Sequence, residues 1–214
     1  MRRLHDEVII YRQTTRCFVR ASGCCHLCVF YLIFDSIMTP VRFESELDRR
    51  EEVAIQRLKD IRDLQVMFKS VNGRYTADVD SLIDLYNNGQ MTVVRQIGSM
   101  DDSLAVAQKR VFRDSVKIAI KDTLFNSRTN FIADSLRYIP FSGKEPVQLE
   151  ALVRIVSGVN VPLFEARMPY QLLLKGMDEQ LIINLNADQE AMHRYTGLMV
   201  GSVTSPNNNA GNWE

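Results

Sequence analysis

The sequence predicts an α+β fold, in which a long N-terminal amphipathic helix precedes a mostly antiparallel sheet. Two observations predict it. Apolar side chains fall at Leu47, Ala54, Leu58, Ile61, Leu64, Phe68 and Val71, and from Ala54 onward the steps of 4, 3, 3, 4 and 3 trace one helical stripe. After Gly89 the texture changes to short runs rich in β-branched residues, divided by Gly, Asn, Ser and Pro. No internal repeat appears, and nothing in 35–214 marks a second domain.

Taken in order, the helix is expected to start at Ser45, with Asp48 three residues on as a shortened capping box. Asn72-Gly73 supplies its left-handed stop. The stripe Leu58, Ile61, Leu64 and Phe68 is the candidate packing surface, against the sheet or against a partner helix. The opposite face holds Arg49, Arg50, Glu51, Glu52, Arg57, Lys59, Asp60, Arg62, Asp63 and Lys69, and reads as a solvated face with local ion pairs. A short helix is expected over 78–86, ended by Asn87-Asn88-Gly89. Strands are expected at 91–97, 111–120, 135–141, 147–156 and 159–167. Ser157-Gly158 makes a hairpin of the last two, and Pro162 marks an edge or a bulge. Residues 169–175 read as a helical turn or two closed by Gly176. Strands at 181–185 and 198–203 follow, and 206–214 is a polar, flexible tail.

The first 34 residues differ from the rest. They hold all four cysteines (Cys17, Cys24, Cys25 and Cys28) and five arginines against two acids, a net of +3, within a chain of 26 basic and 26 acidic residues. The balanced total gives no electrostatic footprint for nucleic acid. The run Cys24 to Phe34 is apolar over 11 residues, and extending it back to Cys17 takes in Arg20, which can snorkel to an interface. With arginines before it and Asp35, Glu44, Glu46 and Asp48 after it, the run is expected to act as an incomplete membrane anchor. The N-terminus would then be cytoplasmic and the body exported, by the positive-inside rule. The alternative is a buried core segment in a soluble, cytoplasmic protein. The expected organisation is therefore a basic leader and anchor over 1–34, a linking helix over 35–72, a body over 73–205 and the tail over 206–214. The abrupt change in arginine and cysteine usage leads to the expectation that residues 1–23 arise from a misassigned start or an upstream frameshift, with part of the anchor missing.

Catalytic patterns are missing. The three histidines are His5, His26 and His193, and His193 stands alone, expected as a surface or capping residue. No G-x-S-x-G, Walker-type or G-x-G-x-x-G sequence occurs. The paired carboxylates Asp78/Asp80 and Asp101-Asp102 read as solvated loop residues. Cys25-His26-Leu27-Cys28 has Val29 where a haem-attachment histidine would stand, and a zinc site there would need a fourth ligand. The expectation is a non-enzymatic protein without a cofactor, with a protein partner or homo-oligomer, the membrane as its surface and no nucleic acid.

The segment AIQRLKDIRDLQVMFKSVNGRYTADVDSL, Ala54 to Leu82, resembles the helix-to-turn region of bacterial type IV pilin-like proteins and type II secretion pseudopilins. Arg57, Ile61, Leu64, Gly73 and Tyr75 carry that likeness. It implies an apolar N-terminal helix running into an amphipathic one, a Gly-x-Tyr turn and a small sheet, in a subunit of a secretion or pilus machine. The whole of 35–214 also resembles an uncharacterised membrane-anchored family of Bacteroidetes bacteria, through FDSIMTPVRF, RLKDIR, LRYIPFSG and SPNNNAGNWE. That likeness implies an envelope protein and no particular activity.

Overall fold

The computed structural model describes residues 2–97, 112–126, 128 and 131–214, with side chains described over 29–93, 115–126, 128 and 131–214. The chain divides into two units, Met1–Asp48 and Arg49–Glu214, with the boundary inside helix α1 (Arg2–Asn72).

The first unit is helical. Pro40 lies within α1 and removes one backbone donor, while one turn back the Thr39 hydroxyl donates to the Asp35 carbonyl at 2.8 Å. Ser45, expected as the helix start, is an interior residue of α1. A single proline deletes one backbone hydrogen bond, and no glycine lies between Cys24 and Gly73 to end the helix earlier.

The second unit is the α+β body. Its part of α1 ends where expected: Gly73 takes φ +72°, and its N–H donates to the Lys69 carbonyl at 2.8 Å. Helix α2 (Val79–Asn88) follows, capped by the Asp78 carboxylate, which accepts from the Asp80 and Ser81 amides at 3.1 Å each. Strands β1 (Gln90–Ile97) and β2 (Phe112–Ala119) form a two-stranded antiparallel ribbon, and β2 leads into the one-turn helix α3 (Ile120–Thr123).

The expected strand over 135–141 is instead a 3-10 turn (Ala133–Arg137) followed by an isolated bridge between Tyr138 and Pro146. Leu136 and Ile139 are both buried at a spacing of three, a turn period and not a strand period.

The main sheet has the order β3–β4–β5, all antiparallel: β3 (Gln148–Val156), β4 (Val159–Pro169) and β5 (Gly197–Gly201). Ser157 (φ 53°) and Gly158 (φ 82°) are both left-handed, the signature of a type I′ hairpin. Pro162 lies in the part of β4 beyond the reach of β5, whose pairing begins at Glu165, so its missing N–H costs the ladder nothing.

Helix α4 (Tyr170–Leu173) and helix α5 (Glu179–Ala191) connect β4 to β5. The strand expected over 181–185 is thus a helix. The Asp178 carboxylate caps it through the Leu181 amide at 3.1 Å, and Ile182, Leu185 and Gln189 face inward at helical spacing.

Phe164, Ala166 and Met168 of β4 are fully buried on one sheet face, and Phe164 meets Tyr75 with ring centroids 4.8 Å apart. At Gly201 (φ +75°) an added Cβ would stand 2.3 Å from the Phe164 carbonyl oxygen, so β4 approaches β5 too closely for any side chain there.

The tail, expected to be flexible, is held down. The Gly201 amide donates to the Ala210 carbonyl and the Asn212 amide to the Met199 carbonyl, both at 3.0 Å. Asn212 Nδ2 reaches the Gly197 carbonyl at 2.8 Å.

Candidate interaction surfaces

Within the body the predicted stripe is consumed by the fold. Leu58, Ile61 and Leu64 are fully buried together with Ala54, and Phe68 is half-buried. Its first three residues are therefore core of this chain and present no apolar surface to a partner.

The charged side of the same helix does more than face water. Arg50 Nη1 donates to the Leu173 carbonyl at 3.1 Å, and Arg57 Nη1 to the Tyr138 carbonyl at 2.5 Å. Burial lowers the Arg57 pKa, an effect that Asp60 opposes. Asp60 is buried and receives Arg128 in a two-pronged pair, Nη2 to Oδ1 at 2.5 Å and Nη1 to Oδ2 at 3.0 Å, with Gln56 Nε2 adding a third contact at 3.0 Å. The Arg128 guanidinium also lies over the Phe125 and Phe131 rings, at 4.7 and 5.4 Å from their centroids. Arg62 pairs with Glu214 at 2.6 Å, and this bond holds the Glu214 carboxyl below its ordinary value. Arg50, Arg57, Asp60 and Arg62 of the expected solvated face thus make tertiary contacts. Sequence reading missed them because their partners, the Leu173 and Tyr138 carbonyls and the Arg128 and Glu214 side chains, lie far along the chain.

The first unit shows the opposite pattern. Val29, Phe30, Tyr31, Leu32, Ile33 and Phe34 are consecutive helical residues, each between 49 and 69 % exposed, and Ile37 and Val41 extend the apolar surface. Six consecutive residues cover the full circumference of a helix at 3.6 residues per turn, so this segment is apolar all round and not along one stripe. Among the described residues no helix is long and apolar enough to cross a membrane. The side chains of residues 17–28 of the expected anchor, with all four cysteines, lie outside those described.

Among the described residues the body has several concavities, of which two are the larger of those lined by α1. One, of about 530 Å³, is polar and lined in part by Glu51, Tyr170, Gln189, Arg194, Tyr195 and Trp213. The Tyr170 hydroxyl donates to Glu51 at 2.6 Å. Burial first, then this bond, drives the Tyr170 pKa up. The other, of about 810 Å³, is an open groove between Val66, Lys69 and Tyr75 on one side and residues 161–163 of β4 on the other. The 206–209 turn also lines it, with Asn208 and Asn209 both left-handed.

Deeper in the sheet, Glu165 is buried and accepts from Arg167 Nε and from the Val203 amide, which satisfies its charge within the fold. The pair Asp78/Asp80 is likewise structural. Asp78 caps α2, its pKa lowered mainly by the Ser81 hydroxyl, and Asp80 pairs with Arg137 at 2.6 Å. His193 is exposed just past α5 at φ 56°. Asp101 and Asp102 lie outside the described residues, and among those described no group of three His, Cys, Asp or Glu side chains could hold a metal ion.

No family model, curated protein or solved structure matches this chain.

Proposed function

We propose that the protein is a non-enzymatic, membrane-anchored subunit with a structural or protein-interaction role in a bacterial cell envelope. Its N-terminal helix sits in the inner membrane and its body is exported. One observation carries this reading: residues 29–34 expose apolar side chains around the whole helix. A helix apolar on one stripe packs in a groove, whereas one apolar on every side needs surroundings that are apolar on every side. The basic flank before this segment and the acidic residues after it support the direction of insertion. The resemblance to pseudopilins supports the same arrangement, with incorporation into a filament as its stronger form.

The test is flotation of the full chain with phospholipid vesicles. The native chain should float, and a Phe30→Glu/Leu32→Glu variant with an unchanged circular dichroism spectrum should stay at the bottom. A native chain that remains at the bottom, monomeric and soluble without detergent, overturns the proposal. A soluble binding module is the second reading, supported by the polar groups around the 530 Å³ cavity. Saturable binding of a small polar ligand, lost in Arg194→Ala, would favour it.

A further inference from the structure

We propose that the body self-associates through the outer edge of β3, as a two-fold dimer in which Leu152 of each copy faces Leu152 of the other. The sheet ends at β3 on one side and β5 on the other. The outer side of β5 is covered by residues 210–212 of the same chain. Among the described residues nothing pairs with the outer side of β3. That strand also has little of the protection usual for an edge, with Val153 57 % and Ile155 75 % exposed and Glu150 and Arg154 as the charges it carries.

The bounds of the free edge fix the symmetry of the pairing. At its start the Val147 amide already donates to the Arg137 carbonyl at 2.9 Å, and at its end the chain turns at Ser157-Gly158. The available strand is therefore Gln148–Val156, whose centre is Leu152.

The direction of the backbone groups fixes the register. In a two-residue hairpin the residues flanking the turn, here Val156 and Val159, exchange both hydrogen bonds. Leu149, Ala151, Val153 and Ile155 then direct their N–H and C=O groups outward. An antiparallel second copy must pair these with one another, which leaves three central registers, about Ala151, Leu152 or Val153. Centring on Leu152 bonds Ala151 to Val153 and Leu149 to Ile155. It also sets Glu150, which faces Arg167 at 3.6 Å in its own chain, opposite Arg154, whose Nη1 donates to its own Thr204 carbonyl at 3.0 Å. Each exposed ion thereby gains an opposite charge, twice by symmetry. Centring on Ala151 drives Ile155 against the occupied Val147 amide and Arg154 against Gln148. Centring on Val153 sets Arg154 against Leu152 and Glu150 against Val156. Only the Leu152 register uses the whole edge and pairs both charges.

The test is a cysteine scan in the full chain, with Cys17, Cys24, Cys25 and Cys28 replaced by serine, combined with sedimentation equilibrium in detergent. Leu152→Cys should form a covalent dimer on mild oxidation, because residues facing each other across a non-hydrogen-bonded pair lie about 4.5 Å apart at Cα, within disulfide range. Val156→Cys, whose two copies lie at opposite ends of the paired strands, should not. Ile155→Asp, at an exposed position that leaves the monomer folded, should raise the dimer dissociation constant about tenfold or more. A monomer at about 100 µM, or a dimer that Ile155→Asp leaves intact and Leu152→Cys fails to link, would overturn the proposal.

Discussion

Gln65 is a fully buried amide inside the apolar side of α1. Its side chain clamps the loop that follows the helix: Nε2 donates to the Thr76 carbonyl at 2.6 Å, and Oε1 accepts from the Thr76 amide at 3.2 Å. Gln65→Leu keeps the volume and deletes both bonds. Two backbone groups are then left without partners, at about 1–2 kcal/mol each for a part-buried site. The added apolar burial of leucine offsets about 1 kcal/mol. The variant should therefore lose about 1–3 kcal/mol. With a urea slope of about 2 kcal/mol/M, the unfolding midpoint followed by circular dichroism should fall by about 0.5–1.5 M. Gln65→Glu supplies a control of opposite pH sense. A carboxylate can accept from the Thr76 amide but meets the Thr76 carbonyl without a proton, so its folded-state pKa is raised. Its stability should be highest below the ordinary glutamate range and fall as pH rises through the raised value. A midpoint for Gln65→Leu within about 0.2 M of the native one would refute the clamp.

Three further outcomes follow from the same contacts. Phe164→Ala empties a fully buried site against Tyr75 and should cost about 3–5 kcal/mol in the same urea assay. Gly201→Ala places a methyl group 2.3 Å from the Phe164 carbonyl at a left-handed φ, so its midpoint should fall and the β4–β5 amides should lose hydrogen-exchange protection. The Arg62–Glu214 bond depresses the Glu214 pKa, so it is formed above the ordinary glutamate range and lost as pH falls through the depressed value. Emission from the chain's one tryptophan, Trp213, should shift over that range in the native chain and stay flat in Glu214→Gln.

Much of the fold was legible where a local signal was strong. The 54–71 stripe, the Asn72-Gly73 stop, the Asp78 helix and the Ser157-Gly158 hairpin all rest on patterns within a few residues of each other. Misreadings came where a short apolar run fits either period. Leu181-Ile182-Ile183 looks like a strand by composition, and the Asp178 cap decides for a helix. The tail was misread because its polar residues were taken as solvated, whereas Asn209 and Asn212 spend their amides on Tyr75 and Gly197. The surface candidates were legible only in part. The stripe was correctly found as apolar, yet sequence could not show that the body itself covers Leu58, Ile61 and Leu64. The symmetry of the β3 edge becomes visible only once its neighbours on both sides are known.

The most direct test of the anchored, exported reading is fractionation of the native protein from its own cells by carbonate extraction, followed by protease treatment of spheroplasts. The reading predicts that the body stays in the membrane pellet and is digested from outside. A body released by carbonate and protected from the protease would contradict it.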